Sequence, residues 1–373
     1  MKRICLGVLL FLAAGLAPLA RAQPADTVKI GFASPLTGPQ AHYGQDNLNG
    51  ARMAIEDLAA EKFRIRGQVV RFQLLIEDDQ ADPRTGTVVA QRLVDAGVRG
   101  VVGHFNSGVS IPASKIYSDA GIPQLSVSTA VQYTRQGHRT AFRMMPDDDQ
   151  QGAALGRYAT GPLGLQRLAV VDDRTAYGQG LADAFAAAIE AAGGQVIRRE
   201  YTTDKEVDFR AILTSIRSVK PDAIFFAGYD AQAGPLARQM RELGIAARLL
   251  GGETINTAKF IELAGPAAEG QIASTPGEAL SRRPRGRVFA ERYRRRFNQE
   301  VGLYAPYFYD AVMTIAAAMQ QAASSEPARY LPALREIRHV GVTADIEFDA
   351  NGDLKQGLHS FYRVVDGKWV LQE

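Results

Sequence analysis

Cysteine is nearly missing from this chain: Cys5 is the only one in 373 residues. It lies inside the apolar stretch that opens the sequence, so the remainder has no thiol. Disulfides, thiolate metal sites and a cysteine nucleophile are thereby excluded there. Metal-ligand histidine spacing is missing too. His42, His104, His138, His339 and His359 never form an H-x-x-x-H pair, and no metal site or cofactor is expected. There is no excess of one charge. The chain has 43 Lys and Arg against 40 Asp and Glu. Removing Lys2, Arg3 and Arg21 with an N-terminal leader leaves 40 against 40. That balance gives no broad electrostatic case for nucleic acid. Only one long apolar run occurs, "ICLGVLLFLAAGLAPLA", and it is short for a membrane span.

That run has a basic start at Lys2-Arg3 and a small-x-small end at Ala20-Arg21-Ala22. The pattern reads as a signal peptide over 1–22, cleaved before Gln23, and hence as export to the periplasm. An uncleaved anchor would need a longer apolar stretch. A lipoprotein would need its cysteine at the cleavage point, and Cys5 is far upstream of it.

What is present is alternation. "VKIGFA" (28–33), "VVRFQLLIE" (69–77), "GVVGHF" (100–105), "RLAVVDD" (167–173), "DAIFFAGY" (222–229) and "RLLGGE" (248–253) read as strands. Helical stretches separate them, near 45–60, 84–96 and 232–243. In another, Leu181, Ala184, Phe185, Ala188, Ile189 and Ala192 form an apolar stripe. "VVGHFNSGVSIPAS" reads as a strand, a loop through Asn106-Ser107-Gly108, and a helical pattern beginning at Ile111-Pro112. Such alternation predicts an α/β fold of parallel, doubly wound sheets. The pattern restarts after Pro146, which predicts two lobes. Later runs predict helices near 288–298 and 307–322, and strands at 345–348 and 360–365. Ligands of open α/β sheets bind beyond the strand C-termini, so the site is expected between the lobes.

The strand-to-helix junctions carry one recurring chemistry. Tyr43 precedes the first helix. Phe105, Asn106 and Ser107 follow the third strand run, and "LSVSTA" supplies Ser126, Ser128 and Thr129. In the second half Tyr177, Tyr229 and Glu253 stand at corresponding places. Hydroxyls and loop amides on one side suit a carboxylate. A lone carboxylate on the other side suits an ammonium. Tyrosines suit the apolar remainder. The set therefore points to a zwitterionic solute. Taken singly, Ser107 also reads as a helix N-cap and Glu253 as a solvated loop residue. A Ser107–His104 hydrolytic pair is a further alternative, but "HFNSG" lacks the G-x-S-x-G elbow. "YGQGLADAF" lacks the third glycine of a dinucleotide loop. The arginines of "RRPRGR" and "RYRRRF" read as a solvated helix face.

At these residues the sequence resembles the periplasmic branched-chain amino-acid-binding proteins of ABC transporters. The matching segments are "SPLTGPQAHYGQDNLNGARMAIEDLA", "EDDQADP", "VVGHFNSGVSIPASKIYSDAGIP", "TAYGQGLADAF", "FFAGYDAQAGPLARQMRELG" and "YAPYFYDAV". The resemblance implies a type I periplasmic-binding-protein fold. Lobe 1 would comprise 23–147 and 277–354, and lobe 2 would comprise 148–276 and 355–373. It implies a non-enzymatic, monomeric receptor that closes on an amino acid and presents it to an ABC permease. By the same resemblance Tyr43 lines the pocket, Ser107 and Thr129 take the ligand carboxylate, and Val127 offers backbone groups. Glu253 takes the ammonium, Asp148, Tyr177 and Tyr229 belong to the second lobe's face, and Tyr304 borders the side-chain pocket. Two departures stand out. "SVSTA" is one residue shorter than the usual family loop, so Ser128 or Thr129 supplies the matching hydroxyl. "GGET" replaces a common Gly-Pro-Glu-Gly pattern. A sensor of the same fold for an amide, urea-like or aromatic-acid solute is the alternative, because one scaffold hosts many ligands.

Overall fold

The computed structural model describes residues 26–355 and 357–372. The leader with Cys5 lies outside them. The first sheet starts with β1 (Asp26–Ser34), passes through α1 (Ala41–Ala60), and returns as β2 (Arg64–Ile65) and β3 (Gln68–Asp78). It continues through α2 (Pro83–Asp95), β4 (Gly100–Gly103), α3 (Ser107–Asp119), β5 (Gln124–Ser126), α4 (Gln132–Arg135) and β6 (Ala141–Arg143). Its order is β2-β3-β1-β4-β5-β6, parallel except for the β2–β3 pair.

The chain then builds α5 (Asp148–Thr160), β7 (Arg167–Asp172), α6 (Ala176–Ala191), β8 (Gln195–Tyr201) and α7 (Arg210–Val219). After these come β9 (Ala223–Ala227), α8 (Asp230–Glu242), β10 (Arg248–Gly251), α9 (Ala258–Ala264) and β11 (Ile272–Pro276). Three helices follow, α10 (Pro284–Phe297), α11 (Ala305–Gln321) and α12 (Pro327–Arg335). Of these, α11 lies against α1 and β4 of the first sheet. A two-residue ribbon, β12 (His339–Val340) with β13 (Asp345–Ile346), precedes β14 (His359–Val365) and β15 (Lys368–Leu371). The second sheet runs β15-β14-β11-β10-β9-β7-β8, with β14 and β15 antiparallel. The chain thus passes between the two sheets three times, after β6, after β11 and before β14.

Both sheets are covered on both faces, which is why their central strands are apolar throughout. Val170 and Phe225 face one side with Leu155, Phe185 and Ile189, whereas Val171 and Phe226 face the other with Leu213, Leu236 and Met240. In the first sheet Phe32 packs toward α11, while Ala33 and Val101 pack toward α2 and α3. The predicted stripe of α6 is the buried one, through Leu181, Phe185 and Ile189. Helix starts come earlier than the sequence pattern predicts: α1 begins at Ala41 and α6 at Ala176, so Tyr43 and Tyr177 lie inside their first turns, and the helix of "NSGVSIP" is extended too. The helix begins at Ser107, and Pro112 lies inside it. Val109, Ala113 and Tyr117, spaced by four, are buried on one face. That burial outweighs the hydrogen bond lost at proline.

Strand order fixes the site. In the first sheet the winding reverses between β1 and β4, and in the second between β7 and β9. Crevices open at such switch points, outside the strand C-termini.

Candidate functional site

The loops leaving those four strands, together with the one after β10, converge. Ser107 opens α3 directly after β4. Its neighbour Asn106 holds the cap position without a side-chain cap bond. The Ser107 hydroxyl instead accepts from the Ala130 amide, 3.2 Å away on the loop after β5. Ser107 is therefore a link between two loops and not a cap. The 127–131 loop is held from behind by Arg143, whose side chain is fully buried. Arg143 donates to the Ser128 carbonyl (2.5 Å), the Ala130 carbonyl (2.9 Å) and Thr134 Oγ1 (2.8 Å), and its Nε to Asp353 (2.9 Å). The guanidinium thus occupies the carbonyl side of the loop.

On the other side, Glu253 follows the short turn Gly251-Gly252. A Cβ at Gly252 would lie 2.4 Å from the Tyr177 hydroxyl. Glycine lets the strand end come close to α6, and this is the local meaning of "GGET". Tyr177 donates to Glu253 Oε2 at 3.0 Å and stands 3.0 Å from Thr254 Oγ1. Burial raises Glu253 from 4.5 to about 7, while hydrogen bonding from Gln151 and Tyr177 restrains the rise. Asp148, at the start of α5, is pushed well above its ordinary value, first by burial and then by the charge of Glu253. Neither of its carboxylate oxygens has a hydrogen-bond partner, although Thr129 stands close enough to favour the charged form.

Phe105, Ser107, Val127, Thr129, Tyr177, Tyr229, Glu253, Thr254 and Tyr304 line a narrow slot. Eight of these nine are residues singled out from the sequence; Thr254 is the exception. Its only signal was its place next to Glu253. Tyr43 closes the slot from the first sheet: its ring stacks on Phe105 at 5.0 Å, and its hydroxyl donates to the Thr254 carbonyl at 2.5 Å. Ser128 and Asp148 stand behind the lining, with the Ser128 hydroxyl unpartnered. The tyrosines do more than cover apolar surface. Tyr43 and Tyr229 bond across from one sheet's loops to the other's, the latter accepting from Asn106 at 2.9 Å. His42 and Asp230, 2.8 Å apart, add a third such contact that the sequence reading did not contain.

The Ser107–His104 pair is not assembled. His104 is fully buried, with Nδ1 2.7 Å from Asp79 and Nε2 3.1 Å from the Tyr117 hydroxyl. Both ring nitrogens are engaged away from Ser107, so the ring is not placed to take its proton. A wider groove, lined by Arg52, Ile76, Arg296 and Phe297 among others, lies open to solvent beside α1 and α10. Its charged lining is partly spent on itself, since Arg296 there is paired with Glu56. Among the described residues no group of acidic or histidine side chains is placed to hold a metal ion, and no helix is long and apolar enough to cross a membrane.

Known proteins resemble this chain in sequence and fold. The sequence profile of the periplasmic binding proteins matches residues 27–368. The leucine-, isoleucine-, valine-, threonine- and alanine-binding protein of Pseudomonas aeruginosa is 33% identical over 334 residues, covering 89% of this chain and 88% of that protein. The crystal structure of the leucine-binding protein LivK from Thermotoga maritima superposes with a TM-score of 0.87 at 28% identity, over 93% of this chain and 98% of that one. The substrate-binding protein LivJ of Streptococcus pneumoniae, solved in complex with isoleucine, gives 0.84 at 25% identity, over 93% and 100%. The two doubly wound sheets, the cleft at their switch points and these matches along the chain establish that it belongs to the periplasmic binding protein family, in its type I, branched-chain amino-acid-binding branch.

Proposed function

We propose that the protein is the solute-binding component of an ABC importer and that it closes on a free α-amino acid of the aliphatic, branched type. One observation carries this reading. A single small slot sets Ser107 and Thr129, on loops that Arg143 and Ser107 tie together, against a buried Glu253 that has no cationic partner among the lining residues. No lysine or arginine is among the residues lining the slot. An ammonium brought by the ligand would supply the missing positive charge, and its carboxylate would meet the hydroxyls and amides. The names of the relatives point to the same class of solute. Neither half satisfies both charges alone, so ligand contacts favour the closed over the open arrangement.

In this reading lobe 1 comprises 23–147 and 277–354, and lobe 2 comprises 148–276 and 355–373, with the three crossings between sheets as the hinge. The protein acts as a periplasmic monomer that hands its solute to membrane permease subunits and performs no chemistry. The test is calorimetry on ligand-stripped protein with leucine, isoleucine, valine, threonine and alanine, each beside its des-amino and carboxamide analogue. Binding of the amino acids with loss on either change is expected. Tighter binding of a des-amino acid or an amide than of any amino acid would transfer the site to another solute class.

A further inference from the structure

Four tyrosine hydroxyls meet in or at the slot, and three of them are partnered. Tyr43 donates to the Thr254 carbonyl, Tyr177 donates to Glu253, and Tyr229 accepts from Asn106. The fourth, on Tyr304, has no partner although its residue is only 2% exposed. Buried tyrosine hydroxyls ordinarily find one, and an orphaned polar atom calls for an explanation. Misplacement of the ring is not one, because Tyr304 is firmly seated. Its amide donates to Asp46 Oδ2 at 3.0 Å, and its ring packs edge-on against Phe105 at 4.8 Å and Tyr43 at 5.9 Å. Tyr304 lines the slot, and its hydroxyl is left for an atom of the solute.

The carboxylate and ammonium of an amino acid are provided for by Ser107, Thr129 and Glu253, and among the residues lining the slot only the Tyr304 hydroxyl is then left without a partner, which assigns it to the side chain. We propose that Tyr304 hydrogen-bonds a side-chain hydroxyl of the solute, so that the slot selects a short, branched, hydroxyl-bearing amino acid over its hydrocarbon isostere. This rests on the amino-acid reading above and narrows it. A site built to bond a substrate hydroxyl rejects the analogue that lacks it, because a buried group is then left unpaired.

Threonine and valine differ in a hydroxyl for a methyl, and they decide the matter. Titration of the ligand-stripped, full-length protein is expected to show threonine bound about tenfold more tightly than valine, the effect of one net hydrogen bond. Tyr304→Phe should erase that ratio by weakening threonine alone, with valine unchanged or tighter. Equal affinities in the unmodified protein, or tighter valine, would overturn the proposal while leaving the amino-acid reading intact. Equal weakening of both ligands in Tyr304→Phe would also overturn it, since the hydroxyl would then serve the part the two ligands share. If neither ligand binds, the amino-acid reading fails and this inference falls with it. The wild-type ratio is decisive even if the variant folds poorly.

Discussion

Glu253 and Ser107 carry opposite halves of the proposed zwitterion site, and substitutions separate their roles. Glu253→Gln keeps the shape and hydrogen bonding of the side chain but removes the charge. Calorimetry should then show an affinity loss of about 2–5 kcal/mol for the amino acid, the range for truncating one member of a buried charge pair. The des-amino analogue should bind the variant no worse than it binds wild type. Ser107→Ala should cost about 1–3 kcal/mol of affinity, as expected for an unmade hydrogen bond to a charged group. It also leaves the Ala130 amide without its acceptor. Some loss of stability is therefore expected as well, which a mere surface serine would not show.

At the scale of elements, the site depends on how α1 is fastened to the helices that follow β11. Asp46, in the first half of α1, accepts from the amides of Gly302, Tyr304 and Ala305 at 2.8–3.0 Å and from the Tyr293 hydroxyl at 2.9 Å. It thereby supplies acceptors to the free amides at the start of α11 and fixes the backbone of Tyr304. Asp46→Ala should lower unfolding stability by about 3 kcal/mol, because charged hydrogen bonds are lost and buried donors are left unpaired. Denaturant titration would measure it. One turn on, a Cβ at Gly50 would lie 2.0 Å from the Ala305 carbonyl oxygen. The two helices touch there at a distance only glycine permits. The arginines of α10 face outward, with Arg292 and Arg296 paired to Asp57 and Glu56 of α1. Reversing the charge of Arg294 and Arg295 together should leave solute affinity within about twofold, as for exposed sites. A tenfold loss would mean that α10 borders the slot.

On the scale of the whole molecule, closure is coupled to protons as well as to solute. Glu253 rises from 4.5 to about 7 on burial, and Asp148 shifts in the same direction for the same first reason. In the open form of the proposed hinge motion both would be wetted, which removes the burial that raises them. The closed, ligand-free form keeps its proton while the open form releases it. As pH rises from about 4.5 through about 7 the closed form therefore loses ground, and it is favoured at low pH. Small-angle scattering of the ligand-free protein should show a more compact particle at pH 5 than at pH 8. Solute should restore compactness at pH 8, where its ammonium replaces the proton. Glu253→Gln should reduce the pH response and leave the part that burial of Asp148 contributes. His42→Gln, which keeps a donor toward Asp230, separates the contribution of that contact between the sheets. A particle equally compact at both pH values without solute would contradict the scheme.

Local order in the chain determined much of this. Short apolar runs and stripes of period 3.6 placed β1, β3, β7, β9, α6 and α8 within a few residues, since those elements bury the faces their own side chains define. Tyrosines, hydroxyls and Glu253 at strand ends were legible because strand-to-helix junctions are where an α/β sheet presents its loops. Tertiary structure decided the rest. Only folding brings Thr254 under Tyr43, His42 to Asp230 or Asn106 to Tyr229, pairs separated by 123 to 211 residues. The start of α3 at Ser107, ahead of Pro112, likewise follows from burial of Val109, Ala113 and Tyr117 against neighbours remote in sequence. Most of all, the unpartnered hydroxyl of Tyr304 is invisible in the sequence, where every tyrosine is alike. It stands out only when its three neighbours have found partners, two of them across the cleft, because a hydrogen bond is a property of two positions in space and not of one position in a chain.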